Sequence, residues 1–210
     1  MFRLETKRMI DVTAAASLLV MFSPVMLLAA IAVRVLMGPP VLWCHVPPGK
    51  GGAPFVMYKF RSMAVPLPDE NWLRTNAERL TPLGRLLRKA SIDELPELWN
   101  VLKGDMSLVG PRPLLLEYLP RYTDEQRRRH QVRPGITGWA QVNGRQSITL
   151  GHRIAYDLWY IDNQGTCLDF RILLKTVRQA LTGAGVISRQ DFSEFDDLHA
   201  RPKEGSGSEL

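Results

Sequence analysis

The sequence has few of the residues that build metal centres and disulfide scaffolds. Its 210 residues include only two cysteines and four histidines. Cys44 and Cys167 are far apart and form no C-x-x-C pair, so neither a disulfide framework nor a structural zinc site is expected, and a reducing compartment fits. The motifs H-E-x-x-H and G-x-S-x-G are absent, which argues against a zinc protease and a serine hydrolase.

The sequence also lacks a Walker motif and a G-x-G-x-x-G turn after a predicted strand. A bound nucleotide would therefore have to be held in another way. Acidic residues are outnumbered, because 27 Lys and Arg residues face 21 Asp and Glu residues and leave a net charge of +6. This surplus predicts an anionic partner: a nucleic acid, a phosphorylated metabolite or an acidic lipid. The apolar fraction of 45% is typical of a globular protein and excludes a mainly disordered chain.

The first forty residues contain a long apolar segment. Residues 9–37 are almost unbroken in apolar character, with Lys7 and Arg8 before them and Arg34 near their end. A cleavable signal peptide has an apolar region of about 7–15 residues, so this segment is roughly twice too long for one. A membrane-spanning helix needs about 20 apolar residues. Length alone therefore leaves both a spanning and a re-entrant segment open.

Two features favour a re-entrant hairpin, whose ends stay on one side of the membrane. Pro24 follows Ser23 near the midpoint, and a proline removes a backbone donor and bends a helix. Each arm of about 13 residues would extend roughly 20 Å, too short for a hydrocarbon core of about 30 Å. Basic residues flank both ends, which places both on the cytoplasmic side. We therefore predict a helix-break-helix hairpin over residues 1–38, with the Ser23 hydroxyl bonded to a carbonyl that Pro24 leaves free.

The rest of the chain predicts a small, mostly helical domain over residues 39–190. Residues 41–44 and 55–60 are typical of short strands in a hairpin around a glycine-rich loop. Helices are expected from Pro82 and over 95–102, 114–129, 154–161 and 171–181, whereas 110–113 and 133–145 are expected to be irregular. Residues 191–210 become acidic and then Gly/Ser-rich, which predicts a disordered tail. The predicted fold class is α+β.

The predicted helix over residues 171–181 carries an apolar stripe of Leu174, Val177 and Leu181, with Lys175 and Arg178 beside it. Such an amphipathic helix can lie on an anionic membrane surface with its stripe among the headgroups. It can equally pack its stripe into the protein core and leave a solvated basic edge. This segment alone leaves both interpretations open.

Residues 91–96, Ser-Ile-Asp-Glu-Leu-Pro, are the most informative short segment. Their S-x-x-E spacing is that of a capping box at a helix N-terminus, where acidic side chains are favoured. Pro96 opposes this interpretation, because it would occupy the fifth helical position, where its missing N–H is costly. If Asp93 is the cap instead, Pro96 is tolerated, but Glu94 then has no capping role. Taken by itself, the segment leaves a structural interpretation open.

The cations around this segment indicate a chemical role for Asp93 and Glu94. The basic residues in turns, at strand ends or about one helical turn away are Lys59, Arg61, Arg88, Lys89, Arg112 and Arg145. Because Pro111 and Pro113 fix the backbone on both sides of Arg112, its guanidinium is presented from a stiff loop, which suits bidentate phosphate binding. Adjacent carboxylates among such cations suggest phosphoryl transfer with a metal, since Mg²⁺ usually binds a carboxylate together with phosphate oxygens and waters.

Several motifs follow one another along the chain in a fixed order. They are Lys7-Arg8-x-x-Asp11, the apolar segment with Ser23-Pro24, and the segments 59–63 (KFRSM), 91–101 (SIDELPELWNV), 104–113 (GDMSLVGPRP) and 133–145 (RPGITGWAQVNGR). In these motifs the chain resembles the bacterial sugar transferase family of monotopic polyprenol-phosphate phosphoglycosyl transferases. The resemblance covers about residues 3–187. Because no further membrane helices precede the first motif, the chain resembles the small members that consist of the catalytic core alone.

The resemblance implies a reaction in which a UDP-sugar and undecaprenyl phosphate give undecaprenyl-diphosphate-sugar and UMP. It implies that Asp93 attacks the sugar-bearing phosphate to form a covalent phosphosugar enzyme, which the lipid phosphate then resolves. Glu94, together with Asp93, would coordinate Mg²⁺ or assist the attack. We expect nearby cations and a helix N-terminus to keep the pKa of Asp93 low, so that the carboxylate is ionised.

Phosphate-binding and topological residues are implied in the same way. The family positions expected to contact phosphates match Lys59, Arg88, Pro111, Arg112, Pro113 and Arg145, and those expected to set topology match Lys7, Arg8, Asp11, Ser23 and Pro24. The resemblance implies a monotopic enzyme on the cytoplasmic face of the bacterial inner membrane. The re-entrant hairpin and amphipathic interfacial helices on anionic lipids would hold the active site at the depth of the lipid phosphate.

Two other classes of protein fit the sequence less well than an enzyme does. A basic membrane adaptor gives no reason for an Asp-Glu pair beside Pro-Arg-Pro. A nucleic-acid binder would use the run Arg127-Arg128-Arg129, but the basic residues are dispersed over loops with few aromatics among them, and a membrane segment has no purpose there. We therefore expect no nucleic-acid partner. Within the enzyme class, the alternative is a direct one-step transfer in which Asp93 only binds the metal or acts as a base.

Overall fold

The computed structural model describes residues 2–64, 79–144 and 148–182. The α-helices in this part of the chain are α1 (Phe2–Met37), α2 (Pro82–Lys89), α3 (Glu97–Lys103), α4 (Asp124–Arg127), α5 (Trp139–Gly144), α6 (Leu150–Asn163) and α7 (Thr166–Thr182). The strands are β1 (Leu42–His45), β2 (Met57–Phe60), β3 (Ser107–Val109) and β4 (Gly135–Thr137). The mixture of many helices and a few short strands is compatible with the predicted α+β class. Arg145 and the predicted tail over 191–210 lie outside the described residues.

The strands form two separate pairs. The antiparallel pair of β1 and β2 has Leu42 opposite Phe60 and His45 opposite Met57, which confirms the predicted hairpin around the glycine-rich loop. The second pair is parallel and joins β3 to β4. It was not predicted, because its strands have three residues each and a partner far along the chain. This pair matters for the site, since the Pro-Arg-Pro segment follows β3 directly.

Helix α1 runs through Pro24 as a single α-helix, so the predicted helix-break-helix does not appear as an interruption. Pro24 deprives the Val20 carbonyl of its amide donor, and the Ser23 hydroxyl donates to that carbonyl at 2.8 Å. The predicted hydrogen bond from the Ser23 hydroxyl to a carbonyl that Pro24 leaves free is therefore confirmed. Residues Glu5–Met37 are long and apolar enough to cross a membrane. The re-entrant topology stays a prediction.

The motif at the start of α1 fastens this helix to the globular part of the chain. Lys7 forms an ion pair with Asp169 of α7 at 2.6 Å. Arg8 donates to the last carbonyls of α3, at 2.6 Å from Val101 O and 2.9 Å from Leu102 O. A guanidinium is well suited to this position, because the C-terminal carbonyls of a helix lack amide partners and carry partial negative charge.

Asp11 extends this attachment to β3. Its buried carboxylate accepts a hydrogen bond from the Ser107 hydroxyl at 2.8 Å and another from Leu108 N at 3.1 Å. The backbone amide at the strand therefore depends on a side chain that lies about a hundred residues earlier. This contact fixes β3, and through it the position of the segment that follows.

The far end of α1 packs on the same domain. Ala29 and Val33 are buried against Phe60 of β2 and Leu87 of α2. Arg61 donates to Met37 O at the end of the helix and to Gly38 O, just after it, at 2.6 Å. One face of α1 therefore contacts the domain near both of its ends. The opposite face exposes a large apolar surface that includes Val20, Leu27, Leu28, Ile31, Val35 and Leu36. Such a surface requires lipid or a partner rather than water.

The helix predicted over residues 114–129 does not form as one element. The chain instead makes a 3-10 helix at Leu116–Arg121, then α4, then a second 3-10 helix at Arg128–His130. Pro120 opposes an α-helix because it has no N–H to donate. Thr123 starts α4 anew with a capping box, in which its hydroxyl accepts from Gln126 N at 3.2 Å. Residues 133–145, predicted to be irregular, contain β4 and α5.

Helix α7 turns an apolar stripe outward. Phe170, Leu174 and Val177 are each more than half exposed, while Ile172 on the opposite face is fully buried in the main core. The core-packing alternative for the stripe of Leu174 and Val177 is therefore wrong. The stripe lies on the surface with the basic side chains beside it, which is the arrangement of an interfacial amphipathic helix.

Replacing Asp11 by alanine should destabilise the fold by about 1–3 kcal/mol, because Leu108 N–H would be buried without an acceptor, while the Ser107 hydroxyl would keep only its contact with Val109 O. Thermal unfolding of the detergent-solubilised protein, followed by tryptophan fluorescence, measures this loss. Glu5→Ala is the matched control, since it removes an exposed carboxylate from the same helix and should change stability by less than about 0.5 kcal/mol. Equal stability of the two variants would contradict the anchoring role of Asp11.

Candidate active site

Four segments of the chain converge on one cluster of charged side chains. They are β2, the end of α2, a 3-10 turn at Ile92–Glu94 and the Pro-Arg-Pro segment after β3. The predicted residues that the structure brings together there are Lys59, Arg88, Asp93, Glu94 and Arg112. The cluster thus contains both of the predicted carboxylates and three of the predicted phosphate-binding cations.

The turn that carries the two carboxylates is not a capping box. Ser91 has φ 54° and ψ 22°, in the left-handed region, and its side chain makes no capping hydrogen bond. Helix α3 begins only at Glu97, after Pro96. The structural interpretation of S-x-x-E is therefore wrong. A serine in the left-handed region is strained, and such strain persists where the surroundings impose it, often at functional sites.

Asp93 is nearly buried, with 7% of the residue exposed. Burial and the neighbouring Glu94 raise the pKa of Asp93 to about 6, although Lys59, Arg88 and Arg112 act in the opposite direction. The expectation of a low pKa is therefore wrong, because loss of water outweighs the cations around this carboxyl. No described residue donates a hydrogen bond to the Asp93 carboxylate. At neutral pH this carboxylate is mostly ionised but poorly stabilised.

Glu94 has the opposite environment. Its Oε1 accepts a hydrogen bond from Lys59 Nζ at 3.2 Å and forms an ion pair with Arg112 Nη2. Burial alone would raise the pKa of Glu94, but Arg112 and Lys59 outweigh it and hold that pKa well below its ordinary value. Glu94 is therefore a fixed anion, and it takes the close contacts with cations that Asp93 lacks.

A third carboxylate, Glu97, belongs to the cluster and was missed in the sequence. It is fully buried, and its Oε1 lies 3.0 Å from Lys59 Nζ. Burial raises the pKa of Glu97 to about 7, against the effect of Lys59. The spacing could have revealed it, because residues three and four apart on a helical segment share a face, and Glu97 follows Glu94 by three residues.

Arg88 reaches the cluster from α2. Its Nε donates to the buried Ser62 hydroxyl at 3.0 Å, and its charge acts on Asp93 and Glu94. This contact requires α2 to lie against the backbone of Ser62. Gly84 allows that approach, since a Cβ there would stand 1.8 Å from Ser62 O. Thr81 starts the helix at the right place by accepting a hydrogen bond from Gly84 N at 2.9 Å.

Arg112 reaches the cluster from the opposite side. It lies outside regular secondary structure between two prolines, as predicted. Its Nη1 donates to Ile136 O at 3.2 Å while Nη2 pairs with Glu94. The preceding carbonyl, Pro111 O, accepts from Gly135 N at 3.0 Å. The guanidinium is therefore held by β4 on one side and by Glu94 of the turn at Ile92–Glu94 on the other.

The carboxylates present fit a magnesium site of the kind that phosphate oxygens and waters complete. Across residues 2–64, 79–144 and 148–182, no group of three or more His, Cys, Asp or Glu side chains could hold a metal ion alone. Mg²⁺ does not require one, because it usually binds one or two carboxylates together with phosphate oxygens and waters. Asp93 offers a carboxylate free of described hydrogen bonds. Glu94 uses only Oε1 for Lys59 and Arg112, which leaves Oε2 for a metal.

The other predicted residues lie elsewhere. Arg145 is outside the described residues. The five topological residues are all on α1, and three of them, Lys7, Arg8 and Asp11, contact the domain as described above rather than the charged cluster. The cluster is therefore built without any side chain from α1.

Comparison with known proteins supports one family. A family model described as bacterial sugar transferase matches residues 2–183. An uncharacterized sugar transferase, EpsL, of Bacillus subtilis is 52% identical over 180 residues, which cover 86% of this chain and 89% of that protein. The UDP-glucose:undecaprenyl-phosphate glucose-1-phosphate transferase of Caulobacter vibrioides is 44% identical over 186 residues, or 84% of this chain and 70% of the relative.

A larger relative shows the same similarity over part of its length. The undecaprenyl-phosphate galactose phosphotransferase of Salmonella typhimurium is 37% identical over 196 residues, which cover 85% of this chain but 41% of that protein. The similarity in all three cases spans most of this chain and therefore includes the charged cluster.

The buried charge of Asp93 should cost stability. Because the folded protein raises the pKa of this carboxyl, ionisation at neutral pH opposes folding, and Asp93→Asn should stabilise the protein by roughly 1–3 kcal/mol. The difference should shrink as the pH falls through about 6, where the parent takes up a proton. Thermal melts between pH 5 and 8 test this, with the exposed Asp124→Asn as the control. An Asp93→Asn variant that melts lower than the parent at pH 8 would contradict the burial argument.

Proposed function

The chain belongs to the bacterial sugar transferase family, and from that membership we propose that it moves a sugar-1-phosphate from a UDP-sugar to undecaprenyl phosphate and releases UMP. Relatives named as undecaprenyl-phosphate sugar phosphotransferases support the reaction class. The observation that carries the proposal is the contrast between two adjacent carboxylates. Glu94 is paired with two cations, while Asp93 is buried beside them without a described hydrogen bond.

This contrast supports Asp93 as the nucleophile of a two-step transfer. In the first step an Asp93 oxygen forms a bond to the phosphorus that carries the sugar, and the bond from that phosphorus to the oxygen of UMP breaks. In the second step an oxygen of the lipid phosphate bonds to the same phosphorus, and the bond to Asp93 breaks. Each step exchanges one P–O bond for another, and the ionised carboxylate is restored at the end.

The environment of Asp93 suits this role. Its raised pKa makes it a more basic, and hence stronger, nucleophile than an ordinary carboxylate. No described hydrogen bond has to be broken before it attacks. Because the pKa is about 6, the carboxylate remains mostly ionised at the neutral pH of the cytoplasm. Burial therefore strengthens the nucleophile without keeping it protonated.

The cations supply the attraction that brings anions together. A carboxylate, a diphosphate and later a lipid phosphate must meet in one site, and their mutual repulsion has to be offset. Lys59 and Arg112 already share Glu94, and Arg88 lies against Ser62 beside Asp93. Mg²⁺ held by Asp93 and Glu94 would supply additional positive charge at the phosphates. The three side chains would orient the diphosphate and stabilise the charge that develops on the departing UMP.

The position of α1 supports a monotopic arrangement. Arg8, near the start of the helix, contacts α3, and Val33, near its end, packs on β2 and α2. A helix that crossed the bilayer would place these ends on opposite faces, where one domain could not contact both. We propose that α1 enters and leaves the cytoplasmic leaflet, with its exposed apolar face in lipid and the outward stripe of α7 at the headgroups of anionic lipids.

The alternative as a nucleic-acid binder finds no support in the arginine run. Arg129 is buried in an ion pair with Asp157, and Arg128 is paired with Asp162. These side chains therefore do not form a basic patch with Arg127. A nonenzymatic adaptor would have no use for a buried carboxylate of raised pKa among three cations.

Release of UMP tests the proposed reaction. The protein in membranes, given undecaprenyl phosphate and a panel of UDP-sugars, should release UMP with one or more of them, and Asp93→Asn should lose at least a thousandfold in rate because the nucleophile is gone. Asp124→Asn serves as the control and should keep the parent rate. An Asp93→Asn variant with more than a few per cent of the parent rate would remove Asp93 from the nucleophile's role and favour the one-step alternative.

The metal role of Glu94 predicts a changed response to Mg²⁺. Glu94→Gln keeps the shape of the side chain but removes the charge, so the enzyme should need about tenfold more Mg²⁺ for half-maximal activity and turn over more slowly. Activity measured across a Mg²⁺ titration decides this. A titration curve with the same midpoint as that of the parent would contradict metal coordination by Glu94.

The topology can be tested by cysteine labelling. In a chain with Cys44 and Cys167 replaced by serine, Glu5→Cys should be protected from an impermeant maleimide in intact spheroplasts. Combining it with Ser23→Ala and Pro24→Ala should straighten α1 toward a spanning helix and expose Cys at position 5 to the reagent. If labelling is the same with and without the two alanines, Ser23 and Pro24 do not set the topology.

A further inference from the structure

A second charged pair lies behind the Pro-Arg-Pro segment and has no part in the proposed mechanism. Arg129 and Asp157 are each at most 2% exposed. The Arg129 guanidinium donates to Asp157 Oδ2 through Nη2 at 2.7 Å and through Nε at 3.2 Å. Its Nη1 donates to the Tyr122 hydroxyl at 3.3 Å. A buried ion pair of this kind is weak evidence for stability, because removing two charges from water costs about as much as their attraction returns.

The same guanidinium donates one further hydrogen bond, to a residue of the proposed active site. Arg129 Nη2 donates to the backbone carbonyl of Arg112 at 2.7 Å. Asp157 therefore holds Arg129 in place from α6, and Arg129 holds the backbone of Arg112. The side chain of Arg112 in turn pairs with Glu94. A continuous series of hydrogen bonds thus connects α6 to the catalytic turn.

The Pro-Arg-Pro segment depends on such outside support. Pro111 and Pro113 have no N–H, so neither residue can donate to a neighbouring strand, and the backbone of the segment is held mainly through its carbonyls. The backbone of the segment is held at Pro111 O by Gly135 N and at Arg112 O by Arg129. The second contact is the one at the residue whose side chain enters the active site. Without it, the peptide after Arg112 would lose its donor and could rotate.

We propose that Arg129, oriented by Asp157, is a positioning residue for Arg112. It contacts neither of the reacting groups and acts by fixing the backbone from which the Arg112 guanidinium reaches Glu94 and the phosphates. An arginine suits the Asp157 carboxylate, the Arg112 carbonyl and the Tyr122 hydroxyl together, because it reaches them from three separate nitrogens, whereas the three donors of a lysine share one nitrogen. The expected loss of rate in variants of Arg129 rests on the proposed function. The expected loosening of the Arg112 backbone rests on the hydrogen bonds alone.

A double-mutant cycle separates positioning from a general effect on folding. Arg129→Lys should lower kcat/KM for UMP release about tenfold, as Arg112→Lys also should. If Arg129 acts through Arg112, the double variant Arg112→Lys/Arg129→Lys should be little worse than Arg112→Lys alone. The proposal would be overturned if the two losses of kcat/KM multiplied in the double variant. It would also be overturned if Arg129→Lys kept the parent rate.

The neighbouring Arg128→Lys is the matched control. Arg128 lies on the same 3-10 turn and also pairs with a residue of α6, Asp162, but it is partly exposed and does not contact the Pro-Arg-Pro segment in the described structure. It should change kcat/KM less than twofold. If Arg129→Lys fails to accumulate in membranes, the double variant Arg129→Met/Asp157→Leu is used in the cycle instead. It replaces the buried pair by apolar side chains, which proteins often tolerate.

Hydrogen–deuterium exchange tests the structural part without any substrate. In Arg129→Lys, the peptide that covers residues 108–117 should exchange faster than in the parent, whereas Arg128→Lys should leave its exchange unchanged. If the peptide exchanges faster in Arg129→Lys but the parent releases no UMP with any donor, the proposed function is contradicted and the positioning role is supported. Unchanged exchange of this peptide in Arg129→Lys would overturn the positioning role, whatever the activity.

Discussion

The pairing of Glu94 with Lys59 and Arg112 is the interaction on which the rest of the site depends. Two adjacent acids compete for the same cations, and Glu94 takes the direct contacts. The preceding residue, Asp93, is buried near those charges without a described hydrogen bond, and burial raises its pKa to about 6. The same local sequence therefore produces two carboxyls whose pKa values are shifted in opposite directions. Environments that push the pKa values of neighbouring carboxyls apart commonly assign them different roles.

The fold serves to bring this pair to its cations. Lys59 comes from the hairpin, Arg88 from a helix that approaches Ser62 only because residue 84 is glycine, and Arg112 from a segment that hydrogen bonds on two sides hold in place. The first helix contributes no side chain to the cluster. It fixes β3 through Asp11 and carries the exposed apolar face that requires lipid. Attachment to a membrane and assembly of the site are therefore linked through the same strand.

Much of this arrangement could be predicted from the sequence, and the failures have identifiable causes. The hairpin, the helix after Thr81 and the irregular Pro-Arg-Pro segment follow from local turn chemistry, and they were confirmed. The low pKa predicted for Asp93 was wrong, because burial depends on tertiary packing, which a local motif does not contain. The parallel pair of β3 and β4 was missed because three residues carry too weak a pattern. Glu97 was overlooked although its spacing from Glu94 placed it on the same side of the turn. Pro120 opposes the helix predicted over residues 114–129, because it has no N–H to donate.

The measurement that tests the central claim most directly is mass spectrometry of the intact protein after incubation with a UDP-sugar that supports turnover, in the absence of undecaprenyl phosphate. We expect a mass increase equal to one sugar phosphate, located on the peptide that contains Asp93, and its disappearance once undecaprenyl phosphate is added. An unmodified protein under these conditions, with brisk UMP release when both substrates are present, would contradict the account.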